Sequence, residues 1–198
     1  SRAESRDAVH PLDRAILRGT MPASESSERL EQVLAQIDAL NRQDPNRELV
    51  DGVAVPRELA YSQRVTNWVL RLQPAASEEL RIAARGQHVC RWTIPRERYE
   101  RNRRGYLRWR ETLKTFHAQT VTRLMAEAGY SAAAIERVGL IMSKRWLADD
   151  ADTQTREAAL GRVFLETQLA DLRKKESDEK MTAILRKTWQ KMSPHGRA

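Results

Sequence analysis

Residues 152–172 read DTQTREAALGRVFLETQLADL, and this stretch decides the fold class. Leu160, Val163, Phe164, Leu165, Leu169 and Leu172 recur at helical intervals and cover much of the circumference, as in a well-buried helix. Asp152 stands where an N-cap belongs. Downstream, a last helix begins around Ser177 and carries Met181, Ile184, Leu185, Trp189 and Met192 on one side. Upstream, Ser131 caps a helix bearing Ile135, Val138 and Met142. Before it, a long helix starts near Gly105 and repeats Tyr106, Trp109, Leu113, Phe116, Thr120 and Leu124, with Gly129 as its C′ residue.

Further toward the N-terminus, Ser77 caps a third helix whose Glu78 and Glu79 suit its dipole. It is expected to run to about Trp92 and must stop before Pro95. Pro56 fits a first helical position, and Tyr61, Val65, Trp68, Val69 and Leu72 share a face after it. Residues 46–55 read as a loop. From Ser27 a stripe of Leu30, Val33, Leu34, Ile37 and Leu40 runs to the turn Asp44-Pro45-Asn46. No useful strand alternation is found. The expectation is an all-α, single-domain bundle of about seven helices over 27–195. Residues 1–26 look non-globular, a disordered leader or expression remnant, with Met21-Pro-Ala-Ser resembling a native start.

The 198 residues suffice for one hydrophobic core. Nothing approaches the ~18 consecutive apolar residues of a membrane span, and no apolar run marks a signal peptide. Cys90 is the sole cysteine, which rules out disulfide frameworks and multi-cysteine zinc sites. A cytoplasmic location is expected.

The net charge of +8 is concentrated. Residues 81–110 hold ten arginines, no lysine and two acids, Glu97 and Glu100, so this window alone carries +8. Arginine without lysine points to bidentate recognition of phosphate or carboxylate, or to buried ion pairs. A solvated basic loop with intramolecular partners is the plainer reading.

On the third helix, Leu80, Ile82, Ala83, Gly86, Val89 and Cys90 form an apolar arc, Cys90 reading as a small packed hydrophobe. His88 falls opposite that arc beside Arg85 and Arg91. On the fourth helix Arg110 and His117 are seven apart and point the same way, although a buried, hydrogen-bonded His117 is an equal alternative. If the two helices pack together, Arg85, His88, Arg91, Arg110 and His117 converge on a phosphate-sized pocket, with Arg96 closing it. Glu157 shares a side with Leu160 and Phe164 and is the best-placed acid, either for the site or for an ion pair with an arginine. GxGxxG, P-loop, HExxH and GxSxG patterns are absent. Lys191-Met192-Ser193-Pro194 is a chance echo of a synthetase KMSKS loop.

Glu58-Leu59-Ala60-Tyr61-Ser62-Gln63-Arg64, Ala83-Ala84-Arg85-Gly86-Gln87-His88, Arg91-Trp92, Pro95-Arg96, Gly105-Tyr106, Trp109-Arg110 and Phe116-His117-Ala118 resemble an uncharacterised family, domain of unknown function forty-two-zero-two. Val163-Phe164-Leu165-Glu166 and Lys187-Thr188-Trp189 extend the resemblance to about residues 30–195. The family pattern implies an acid pair where this chain has Glu157-Ala158, so a functional carboxylate is missing if that pair is a ligand or base. A looser similarity links the chain to the HD superfamily of metal phosphohydrolases. It implies ligand positions at Tyr61 and Gln87-His88, two of them substituted, and hence an incomplete site for a divalent metal.

Two kinds of function fit. One is a phosphohydrolase-like domain, whole or degenerate, taking a phosphate-bearing small molecule or nucleotide. In it Arg85, Arg91, Arg96 and Arg110 hold the anion while His88, His117 and Glu157 handle protons or a metal. The shared site requires the two histidines within ~10 Å of each other. The other is a non-enzymatic role: an RNA-binding module using Arg98, Arg101, Arg103 and Arg104 among Trp92, Tyr99, Tyr106 and Trp109, or a helical protein holding an acidic partner.

Overall fold

In the computed structural model, residues 23–144, 149–174, 176–192 and 197 are described. Among them the chain is helical apart from one hairpin: α1 (Ala23–Asn41), β1 (Arg47–Val50), β2 (Val53–Pro56), α2 (Arg57–Leu72), α3 (Glu78–Arg85), α4 (Arg103–Glu127), α5 (Ala132–Ser143), α6 (Ala151–Thr167), α7 (Leu169–Arg173) and α8 (Asp178–Lys191). Two single 3₁₀ turns, Arg91–Thr93 and Arg96–Arg98, link α3 to α4. The all-α reading holds.

α2 packs on α6 and α3, α3 on α5, and α4 on α5, while α1 lies across α3. The stripes expected from spacing meet in one core: Val33 and Ile37 of α1, Val65 and Val69 of α2, Leu80 and Ile82 of α3, Val121 and Met125 of α4, Val138 and Ile141 of α5, and Val163 of α6 are fully buried. Each such side chain contributes about 1.5–3 kcal/mol. Trp68 packs against this core half-buried, with the guanidinium groups of Arg71 and Arg162 over its ring.

Several boundaries differ from expectation, each for a local reason. Residues 46–55 are not a loop: β1 and β2 pair antiparallel, Val50 facing Val53. Asp51 and Gly52 both adopt positive φ between them, the two-residue turn whose backbone twist matches a hairpin. α3 stops at Arg85. A Cβ on Gly86 would lie 2.3 Å from Val121 Cγ2, so the glycine lets α3 approach α4 closely, and Cys90 then turns left-handed with φ 53°. α4 starts at Arg103 because Asn102, rather than Gly105, begins it: its side chain accepts from the Gly105 N–H.

The cap of α6 is Asp150, whose carboxylate accepts from the Thr153 N–H at 2.8 Å. Asp152 instead accepts from Gln73 and pairs with Arg137. The expected central helix also breaks at Gln168, which leaves Leu169 and Leu172 on the separate α7. On α8, Met181 and neighbouring Met192 are buried, but Leu185 and Trp189 are exposed, so that apolar side is only partly covered. Of the expected 1–26 leader, residues 1–22 lie outside the described residues, as do Ser193 and Pro194 of the KMSKS-like run, whereas residues 23–26 belong to α1.

Candidate functional site

Asp44 organises the entrance to α2. Its carboxylate accepts from the Asn46 and Glu58 backbone N–H groups, capping the helix from fourteen residues away. This directs Glu58 and Tyr61, one turn apart, toward the chain that follows α3. There the turn after Gly86 brings His88 against both: Tyr61 stacks on its imidazole at 4.2 Å, and Glu58 Oε2 lies 3.2 Å from Nδ1.

The hydrogen bonds fix the tautomer. Arg91 has only donors, and its Nη1 lies 3.1 Å from His88 Nε2, so Nε2 accepts and Nδ1 carries the proton given to Glu58. Arg91 also reaches within 3.9 Å of Glu58 Oε1 and lies over the Trp109 ring, whose indole N–H donates to the Ile94 carbonyl.

His117 comes from the middle of α4. Its Nδ1 donates to the Val89 carbonyl at 2.9 Å, and its ring centroid is 5.9 Å from that of His88. The shared-site criterion is met. Its Nε2 is buried without a hydrogen-bond partner.

Burial dominates the electrostatics here. It raises the Glu58 carboxyl to about 7, with Arg91 pulling the other way. It lowers His88 well below its usual value, helped by Arg91, Arg110, Arg156 and Lys144. Burial, then the neighbouring His88, takes His117 down to about 3. Both imidazoles are therefore neutral near pH 7.

These groups line two connected hollows. A cavity of about 210 Å³ is bounded by His88, Arg91, Arg110, Lys114, His117 and Arg156 among others. A cleft of about 880 Å³ shares His88, Arg91, Arg110 and Lys144 with it and continues past Tyr61, Leu160 and Phe164 to Leu49 of the hairpin.

Of the residues expected from sequence, His88, His117, Arg91 and Arg110 meet. Arg85 does not. It faces α1 and pairs with Asp38 at 3.2 Å, because α3 turns that side away from the cavity. Arg96 does not close the pocket either: its guanidinium donates to the Tyr99 and Glu100 carbonyls and shapes the loop before α4. Glu157 lines the larger cleft as half of an ion pair, 2.8 Å from Lys144 Nζ and 3.6 Å from Arg156 Nη2. Ala158, where the resemblance implies a second acid, is fully buried.

Sequence reading missed four contributors. Glu58 was read only as a favourable charge in the first turn, and Tyr61 as a face residue and a substituted ligand position and not as a partner of His88, although the family-like stretch 58–64 contains both. Lys144 and Arg156 gave no local signal. Arg156 is 1 % exposed and donates to Gln87 Oε1 and the Ile141 carbonyl, a fixed positive charge behind the cavity.

The family model described as domain of unknown function (DUF4202) matches residues 31–198. The chain belongs to this family. No curated protein and no solved structure matches it. Among the described residues of this DUF4202 domain, no helix is long and apolar enough to cross a membrane. Among them, too, no group of three or more His, Cys, Asp or Glu side chains is placed to hold a metal ion. Tyr61 and Gln87, at the ligand positions implied by the HD-like similarity, instead stack on His88 and hold Arg156.

Proposed function

We propose that the DUF4202 domain binds the phosphate of a small molecule or nucleotide in the cleft between α2, α4 and α6, as a phosphohydrolase-like domain. The observation that carries this reading is the pair of imidazoles 5.9 Å apart on a hollow walled by Arg91 and Arg110. Arg110 makes no ion pair among the described residues, so its charge remains open to an anion. His88 and His117 are the proton-handling groups, and Glu58 positions His88 by accepting from its Nδ1.

An HD-like ancestry accommodates the rest. In that reading, guanidinium groups would supply the positive charge that a metal provides in HD phosphohydrolases. The larger cleft, with Leu160 and Phe164 on its wall, has the size of a typical small-molecule site and room for the body of a nucleotide.

RNA binding through Arg98, Arg101, Arg103 and Arg104 is the second reading, favoured by their exposure on one loop and helix start. It is weaker because Trp109 is 9 % exposed and its N–H is already bonded, so of the candidate stacking rings only Tyr106 is freely exposed.

The test is a thermal-shift screen of the full chain against nucleotides, sugar phosphates, divalent ions and short RNA. A ligand at 100 times its Kd adds about 2.7 kcal/mol. Stabilisation by a phosphate compound that disappears in Arg110→Met supports the reading. Stabilisation by RNA alone, with a steep salt dependence, replaces it with the second.

A further inference from the structure

Tyr61 and His88 form a stack whose two members are held unequally. His88 is bonded at both ring nitrogens, to Glu58 and Arg91, whereas the phenol is held by ring contact, 4.2 Å from the imidazole and 9° from its plane. Among the described residues none bonds the Tyr61 hydroxyl. That oxygen is not one of the buried polar atoms left without a partner either, so it is open to the cleft that Tyr61 lines. A tyrosine packed this closely usually finds a protein partner for its O–H. Here water or a ligand has to supply one.

The surroundings favour an anion. Arg91, Arg110 and Lys144 line both the inner cavity and the cleft, which makes the rim between the two hollows cationic, and Tyr61 lines the cleft side of it. Burial raises the phenol above its ordinary value, with Glu58 adding to the rise and Arg91 and Arg156 opposing it. The hydroxyl therefore keeps its proton at neutral pH and can donate. A phosphate group presents more acceptor oxygens than one guanidinium fork satisfies. A further donor has to approach from another direction. Arg110 comes from α4 and Tyr61 from α2, and both line the cleft.

We infer that the Tyr61 hydroxyl is a ligand contact, donating to an oxygen of the phosphate that Arg110 holds at the rim. The inference rests on the phosphate reading above and adds a binding residue to it. The stack then does more than pack. Glu58 and Arg91 fix His88, His88 fixes the phenol ring, and the ring aims the hydroxyl, so little side-chain freedom is lost when the anion arrives. Tyr61 contributes its hydroxyl to affinity and its ring to the fold.

Calorimetric titration of the wild-type chain and of Tyr61→Phe with inorganic phosphate tests this. The variant keeps the stack and loses only the hydroxyl, so its melting temperature without phosphate should match that of the wild type. Its affinity for phosphate is expected to fall on the order of tenfold. Ultraviolet difference spectra give a readout that a purely structural role would not move. Phosphate should perturb a tyrosine band in the wild type, and that perturbation should vanish in Tyr61→Phe. Equal phosphate affinity in the two chains, or no tyrosine perturbation in the wild type at saturating phosphate, overturns the hydroxyl contact and leaves the phosphate site standing. Absence of phosphate binding by the wild type overturns both. The wild-type spectrum decides the question even if the variant fails to fold.

Discussion

The phenol ring of Tyr61 lies flat on the imidazole of His88, with centroids 4.2 Å apart and planes 9° from parallel. The stack clamps His88 on one face while Glu58 and Arg91 hold its two nitrogens, so the ring has a single orientation. Tyr61→Phe keeps the stack and should leave stability within about 0.5 kcal/mol of wild type, whereas Tyr61→Leu should lose a further 0.5–1.5 kcal/mol, roughly. Urea unfolding of the two variants measures the difference. Equal stabilities would show that the stack contributes nothing beyond burial.

Glu58 and the histidines impose opposite pH dependences. Glu58 has its carboxyl raised from 4.5 to about 7, so between those values the folded state holds more protons than the unfolded one and stability falls as pH rises. His117 is lowered from 6.5 to about 3, so its contribution is lost as pH falls through that window. In the wild type the two trends oppose each other between about pH 4.5 and 6.5. Glu58→Gln removes the first, and its stability should rise with pH through that range more steeply than the wild type's. Chemical denaturation at several pH values reads the slopes; parallel profiles would contradict the buried-carboxyl assignment.

Arg156 is the most deeply buried charge of the site, bonded to Gln87 and the Ile141 carbonyl and facing Glu157. Arg156→Ala should cost roughly 3 kcal/mol or more, since it strands the carbonyl and weakens the pair. Arg156→Lys should recover little, because an ammonium cannot reproduce the planar fork. Denaturation midpoints of the two variants decide this.

Arg85 and Arg110 look equivalent in the sequence and have opposite roles in the fold. Arg110→Met should leave the melting temperature almost unchanged and abolish phosphate-dependent stabilisation. Arg85→Met should lower stability by about 1–3 kcal/mol, because Asp38 loses its partner while largely buried, yet leave phosphate binding intact. Thermal melts with and without phosphate separate the two effects.

Gly86 tests the close approach of α3 and α4. Gly86→Ala places a methyl 2.3 Å from Val121 Cγ2 and should destabilise by about 1–3 kcal/mol. Adding Val121→Ala should recover part of that loss in a double-mutant cycle.

Periodicity alone settled the helical class, most helix positions and the core stripes, because burial of one face at 3.6-residue spacing leaves its mark in the order of residues. The pairing of His88 with His117, and of each with Arg91 and Arg110, was also anticipated, although for His88 the premise was wrong. His88 sits on a turn after Gly86 and not on a helical face. The Asp51-Gly52 hairpin signal was present and went unread. Tertiary structure alone decided that Arg85 and Arg96 serve the scaffold, that Glu58 holds His88, and that Lys144 and Arg156 supply charge from distant helices. The reason is physical: spacing reports which residues share a face, but which charges become partners depends on how helices far apart in sequence pack and what that packing removes from water.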